Sequence, residues 1–336
     1  MARCIRVPRT EGENIRKALM EEGLLDLAHR IGSDGDGILI PVLCDGYREY
    51  PAVDAELRPS EHGETDYKNI AAVPEDLKEL LPKSFDVVGD IAILKLEEPL
   101  LPYRTEIGEA LMKVTPNIRA VFLDGGVKGE FRIRELERIA GSGTSETIHR
   151  EFGTRMMTDP SKVYFNPRLA TERSRVASMV KDGEVIIDMF AGVAPFGTVI
   201  CRHGKPAKVY SIDLNPDCER FMKENMRLNH ISDMECMIGD STEIVKTLPK
   251  ADRIIMNLPQ MADRFLDSAL RAVKPAGIIH MHKIMERDDL AHFEKDLCKR
   301  MADEGLGMRI VRVSELKTYS PTMSVYVFDI CPEFTS

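Results

Sequence analysis

The second half of the chain reads as apolar runs separated by amphipathic stretches. EVIIDMF (184–190) is a continuous apolar run, the pattern of a strand buried on both faces. KVYSIDL (208–214), MECMIGD (234–240), DRIIMNL (252–258) and GIIHMHK (277–283) repeat it. Between them lie helical stretches such as PDCERFMKENMRLNHI, where Cys218, Phe221, Met222 and Met226 fall at helical spacing. Strand and helix in alternation predict a parallel sheet with crossover helices. MSVYVFDI (323–330) follows RIVRVSEL with no convincing helix between them, so a terminal hairpin is expected.

The first half reads differently. In residues 1–62 a helical pattern, GENIRKALMEEGLL, precedes a strand-like GILIPVL at 37–43. The polar stretch RPSEHGETDYKN at 58–69 has the composition of a linker. In residues 70–160, FDVVGDIAILKL (85–96) reads as two short strands around Val88-Gly89-Asp90, and EIGEALMKVTPN (106–117) as a helix stopped near its proline. IRAVFLD (118–124) and KGEFRIREL (128–136) complete a mixed pattern. The expected fold is α/β, with a parallel sheet over 161–336 and two smaller α+β domains before it, 1–62 and 70–160.

Ligands of open α/β sheets bind at the carboxyl ends of the strands. Those ends carry Asp188-Met189-Phe190-Ala191-Gly192, Asp213-Leu214-Asn215, Asp240-Ser241 and Asn257-Leu258-Pro259-Gln260. Three acids and an amide thus stand at four successive strand ends. An Asp after a strand is also a common helix N-cap, which is the competing reading for Asp213. Asp213 lies 21 residues beyond Gly192, the spacing of a carboxylate that binds a ribose diol. GxGxxG is absent, so a pyrophosphate cradle is the weaker reading. A glycine turn followed by an acid on the second strand also suits S-adenosylmethionine, which has a ribose and an amino-acid tail but no pyrophosphate. The stretch RIIMNLPQ ends a buried run on an amide; a plain strand-to-turn transition is the alternative to a chemical role.

Composition narrows the class. The 336 residues are 43% hydrophobic and 30% charged, as in ordinary globular proteins, and leave room for two or three domains. No apolar run reaches the length of a membrane span. MARCIRVPRTEGEN lacks a signal core, so export is not expected. The seven cysteines are scattered and form no CxxC pair, which argues for a reducing cytoplasm and against a zinc site; no metal is expected. A net charge of −9 speaks against a nucleic-acid binder. The stretch from Gly125 to Lys181 nevertheless has 11 Lys and Arg against 7 Asp and Glu. Such a segment reads as a polyanion footprint, with chance the alternative.

DMFAGVAPF, SIDLNP and NLP resemble class I S-adenosylmethionine-dependent methyltransferases, and Asn257-Leu258-Pro259 is similar to the Asn-Pro-Pro-type motif of amino-methylating enzymes. SFDVVGDIAIL (84–94), VKGEFRIRELERIAG (127–141) and KVYFNPRLATER (162–173) narrow the resemblance to the archaeal and eukaryotic tRNA (guanine-37 N1)-methyltransferases, and the likeness extends over essentially the whole chain. It implies a Rossmann-like catalytic domain, S-adenosylmethionine as cofactor, and tRNA as partner through its anticodon loop. It implies contact between the small N-terminal domain and the outer corner of the tRNA. Neither DNA nor a membrane is called for, and one chain supplies every role, so a monomer suffices.

The resemblance also assigns roles. Arg132 would stabilise guanine O6, Glu172 would act as a base of raised pKa, and Asn257 would orient the base edge. Arg173, Asp188, Phe190, Ala191, Gly192, Asp213, Leu214, Asp240, Ser241, Asn257 and Pro259 are the cofactor candidates. Tyr164, Arg168, Lys317 and Tyr319 are the RNA candidates. Phe165 is a second stacking candidate unless it is core. Arg155, Lys162, Arg173 and Arg175 are further phosphate candidates. The competing readings are surface ion pairs for Arg132, and a plain pair with Arg173 or Arg168 for Glu172. Ala194 replaces a glycine common in the family, and Gln260 replaces a frequent lysine. A related wybutosine-pathway enzyme, transferring an aminocarboxypropyl group or methylating a tricyclic base, and an RNA-binding protein without catalysis are the rival functions.

Overall fold

The computed structural model describes residues 2–26, 28–35, 37–58, 66–129, 131 and 133–333. At the N-terminus, β1 (Ala2–Pro8), β2 (Gly32–Asp34), β3 (Gly37–Pro41), β4 (Gly46–Tyr47) and β5 (Tyr50–Ala55) form an antiparallel sheet in the order β2-β3-β1-β5-β4. α1 (Gly12–Glu21) lies over it, because Ile15 and Leu19, one turn apart, bury against Ile5, Val7 and Ile40. Of the expected linker, residues 59–65 lie outside the described residues; its end runs into α2 (Tyr67–Ile70).

The next sheet contains β6 (Asp86–Val88), β7 (Ile91–Leu94), β8 (Ala120–Lys128) and β9 (Ile133–Gly141). β7 and β8 are parallel, joined through α3 (Arg104–Val114); the other pairs are antiparallel. The β6–β7 turn needs Gly89: its φ is +56°, and a Cβ there would fall 2.1 Å from Thr147 Oγ1. That close approach ties the turn to the hairpin β10 (Thr147–Glu151) and β11 (Thr154–Thr158).

The remaining elements are α4 (Ala170–Met179), β12 (Val185–Asp188), α5 (Pro195–His203), β13 (Lys208–Asp213), α6 (Cys218–Asn229), β14 (Met234–Ile238), α7 (Ser241–Ile244), β15 (Ala251–Met256), α8 (Leu266–Ala272), β16 (Val273–Glu286), α9 (Leu290–Asp303), β17 (Gly307–Thr318) and β18 (Met323–Glu333). Their strands form one sheet, β14-β13-β12-β15-β16-β18-β17. The pairings are parallel up to β16, and β18 inserts antiparallel between β16 and β17, the terminal hairpin expected from the sequence. α4, α5 and α6 cover one face, with Ile186, Val209 and Ile255 beneath them. α8 and α9 cover the other, over Ile187, Ile254 and Ile279. Burial on both faces explains the continuous apolar strands.

Residues 147–158, placed in the middle block by the sequence reading, hydrogen-bond to α6. Asn225 Oδ1 accepts from Met157 N–H at 2.6 Å, and Asn229 Oδ1 accepts from Arg155 N–H at 2.9 Å. Val88, Ile91 and Phe122 of the four-stranded sheet share a core with Phe165, Val176 and Ile186, so the middle unit is packed onto the seven-stranded sheet.

Candidate active site

The strand order reverses beside β12, which lies between β13 and β15, and the loop after it is held from both sides. Ala191 N–H donates to Ile212 O at 2.8 Å and Met189 N–H to Ile255 O at 3.0 Å. Gly192 has φ +57°, a Cβ on it would lie 2.9 Å from Tyr164 O, and its N–H donates to Asp213 Oδ2 at 2.7 Å. The backbone there approaches its neighbours too closely for any side chain. Ala194, where the family favours glycine, adopts φ +58° as the N-cap of α5, a left-handed conformation that costs an alanine about 1–2 kcal/mol.

Two acids meet at this loop. Asp188 is fully buried; its Oδ2 has no hydrogen-bond partner, and burial pushes its carboxyl up to about 8. Burial also raises Asp213, although the Asn215 and Gly192 N–H groups donate to it. Asp213 is therefore not the cap of α6. Asp240 is a cap: it accepts from Thr242 N–H and O–H, each at 2.8 Å, at the start of α7. Ser241 is buried behind it. Leu214 is 47% exposed at the rim, and Phe190 stands edge-on to Phe265 with ring centres 5.1 Å apart. Among the described residues, no Lys or Arg pairs with Asp188 or Asp213. Secluded carboxylates without a cation, one buried and one half-buried, suit a ligand that brings its own hydroxyl and ammonium donors, as S-adenosylmethionine does.

Glu172, on the first turn of α4, is buried at 4% exposure. Neither Arg173 nor Arg168 is its partner. Arg175, one turn on, donates to both carboxylate oxygens at 2.6 and 2.7 Å, and His282 Nε2 lies 3.6 Å from Oε1. Burial pushes the carboxyl up, but the hydrogen bonds from Arg175, with the nearby His282 ring adding to them, outweigh it and bring the pKa down to about 2. The base of raised pKa expected from the sequence is thus not what this arrangement holds. Arg175 also donates to Asp329 of β18 at 2.9 and 3.2 Å. Asp329 accepts from His280 Nδ1 at 2.5 Å, and His280 Nε2 meets Arg253 at 2.7 Å. A continuous buried chain of charge thus runs under Glu172 from α4 to β15.

Asn257 is half-buried just past β15, and its amide is tied to no described residue. Pro259 O accepts from Ile284 N–H at 2.7 Å, which fixes the NLPQ turn against β16. Gln260, where the family often has lysine, is exposed, and its carbonyl accepts from Lys283 Nζ at 3.3 Å. Arg132 lies outside the described residues.

Of the RNA candidates, Arg168 and Lys317 come together although 149 positions separate them. Arg168 and Arg134 both pair with Asp86, at 2.7 and 3.0 Å. Burial, then Arg168, lowers the Lys317 ammonium, with Arg134 adding to the effect. Tyr319 is 58% exposed next to this cationic cluster in sequence, and Tyr164 is half-buried by the Gly192 loop. Three candidates lie elsewhere. Arg173 is 1% exposed and clamped to Glu151. Arg175 belongs to the buried chain under Glu172. Phe165 is core, 5.1 Å from the His149 ring. Arg155 donates to Leu228 O at 2.7 Å, while Lys162 remains half exposed. At the N-terminus, Arg6 and Arg16 form exposed ion pairs with Asp34 and Glu13. His280 and His282 escaped the sequence reading; two histidines at period two inside the apolar run GIIHMHK were the available signal.

The family model described as the TRM5/TYW2 methyltransferase domain matches residues 147–311. Two further models match upstream, the TYW2 N-terminal domain over 69–144 and the tRNA methyltransferase 5 N-terminal domain over 4–45. The chain is 39% identical over 96% of its length, and 96% of the relative's, to a protein of Pyrococcus abyssi named tRNA (guanine(37)-N(1))-methyltransferase Trm5b. The crystal structure of wild-type Trm5b from Pyrococcus abyssi superimposes with a TM-score of 0.76 at 38% identity, covering 99% of this chain and 100% of that one. The complex structure of aTrm5 and tRNALeu gives 0.69 at 32% identity, over 97% and 98%. On the strength of the near full-length identity, the chain belongs to the TRM5/TYW2 methyltransferase family.

Proposed function

We propose that this protein transfers a methyl group from S-adenosylmethionine to N1 of guanine-37 in tRNA. The observation that carries the reading is two acids without a cation, buried Asp188 and half-buried Asp213, at the carboxyl edge of the sheet whose face α4 covers with the buried Glu172. Likeness to the Trm5b proteins over nearly the whole chain, including the N-terminal unit, supports it.

S-adenosylmethionine supplies an electrophilic methyl when bound. Asp213 would hold its ribose diol beside the Gly192 turn, Phe190 and Leu214 would give it apolar walls, and Asp188 would accept from its donors. Guanine N1 carries a proton at neutral pH, and losing it drives negative charge toward O6. Glu172 takes that proton. Arg132, on the motif resemblance, stabilises O6. Asn257, with one acceptor and two donors free, orients the base edge while Pro259 stiffens its loop. The guanine must leave the anticodon-loop stack to reach this edge, and Tyr164 offers it a face. Arg168, Lys317 and Tyr319 serve the anticodon side, and the N-terminal unit serves the outer corner of the tRNA. One chain supplies every role, so the working unit is a monomer. The seven free cysteines suit the reducing cytoplasm.

The test is methyl transfer from labelled S-adenosylmethionine to an unmodified tRNA transcript with guanine-37, beside an adenine-37 variant, with the product identified by mass spectrometry. N1-methylguanosine from the guanine transcript alone, lost in Glu172→Gln, supports the reading. An aminocarboxypropyl adduct on a tricyclic substrate, with no methylguanosine, replaces it with the wybutosine-pathway alternative.

A further inference from the structure

Glu172 meets the substrate as a carboxylate whose two oxygens already accept from Arg175. A proton resting on it would weaken both bonds and leave the half-buried Arg175 guanidinium with Asp329 alone. His282 stands on the other side of the same carboxylate. Its ring is fully buried, both nitrogens lack a hydrogen-bond partner, and Nε2 is 3.6 Å from Glu172 Oε1. Cores ordinarily avoid an imidazole buried in this way, and such an exception calls for a role. His280, two residues earlier on the same strand face, shows the ordinary arrangement: both its nitrogens are engaged, by Asp329 and Arg253. Phe196 of α5 packs against the His282 ring, centres 5.9 Å apart, and holds it toward Glu172.

We propose that His282 is the onward acceptor of the guanine N1 proton, receiving it from Glu172. The inference rests on the reading of Glu172 as the base. The N1–H bond breaks with its electron pair left on the guanine, and that pair becomes the new N–C bond as the methyl leaves sulfur. The proton passes through Glu172 to Nε2 of the imidazole. Glu172 is an anion again, its pair with Arg175 is restored, and the imidazolium faces that anion. His282 acts through Glu172 and touches neither base nor cofactor, so it is a positioning residue. The charged and titratable groups around it are Glu172 and Arg175 from α4 and His280 on its own strand, with Asp329 of β18 and Arg253 of β15 behind them.

The experiment is the single-turnover rate of methyl transfer to guanine-37 tRNA between about pH 5.5 and 8.5, for the unmodified enzyme, His282→Asn and His282→Gln. The expected result is a rate about a hundredfold lower in both variants, with affinities for tRNA and S-adenosylmethionine unchanged and the acid limb of the pH profile gone. A second arm needs no turnover. The ring signals of His282 in protein labelled with 15N-histidine should change their pH course when Glu172 becomes Gln. A variant at full rate with an unchanged profile, or ring signals indifferent to Glu172→Gln, overturns the role of His282. An inactive Glu172→Gln beside it leaves the proposed function standing, whereas a fully active one removes Glu172 as the base. If neither His282 variant binds S-adenosylmethionine, the NMR arm decides alone.

Discussion

Arg173→Met removes a guanidinium that is 1% exposed, donates to both oxygens of Glu151 at 2.6 and 2.5 Å, and reaches Asn166 O at 3.1 Å. The carboxyl it leaves behind is secluded too, with 5% of its side chain exposed. Breaking a buried pair from one side strands a charge and costs about 3–5 kcal/mol. For a unit of this size that is roughly 10 °C in melting temperature. Glu151→Gln strands the guanidinium and should cost a similar amount. The double variant leaves no lone charge and should lose at least about 2 kcal/mol less than the sum of the two. Burial pushes Glu151 up, but hydrogen bonds from Arg173 and His149 outweigh it, and its pKa lies below the ordinary value. A lowered carboxylate contributes its stability above the unfolded pKa, about 4.3, and loses it as pH falls below that. The difference between the unmodified protein and Glu151→Gln should therefore shrink below about pH 4. Calorimetric melts supply the stabilities, and titration calorimetry at low temperature supplies the S-adenosylmethionine affinity, which should stay within about threefold in the folded variant. An affinity that drops tenfold while the melt is unchanged would falsify the clamp and return Arg173 to the cofactor role the sequence suggested.

Three other outcomes follow from the same geometry. Gly192→Ala forces a side chain into a left-handed backbone against Tyr164 O; it should lose about 1–3 kcal/mol and weaken S-adenosylmethionine binding, and normal binding would refute the close-approach account. Asp188 is raised to about 8, so its carboxyl is neutral in the fold at low pH and removes stability as pH climbs from about 4 toward 8; Asp188→Asn should flatten melting temperature against pH across that window, and an unchanged slope counts against the shift. Affinity for tRNA should fall steeply with salt despite the net charge of −9, and Lys317→Ala should reduce the log–log slope by about one, whereas a flat dependence sinks the cationic cluster as a phosphate contact.

Much of the fold was legible because burial on both faces forces a distinctive composition. EVIIDMF, KVYSIDL and DRIIMNL could hardly be anything but strands of a covered parallel sheet, and that placed Asp188, Asp213, Asp240 and Asn257 at one edge before any coordinates. Gly192 and Asp213 were linked by spacing alone, and an N–H to carboxylate bond of 2.7 Å joins them. Local pattern does not carry partner choice. Glu172, Arg173 and Arg175 are consecutive or alternate letters on one helix, yet successive side chains there point about a hundred degrees apart. Glu172 and Arg175 therefore share a face, while Arg173 turns away to Glu151. Only packing decided that Phe165 is core and that Arg168 meets Lys317. Packing also decided that His282 is closed in beside the carboxylate, because β16 and β18 carry it there from more than a hundred residues downstream of α4. The sequence determined the sheet and its row of polar ends by itself. Which charge neutralises which depends on distances that only the assembled layers set.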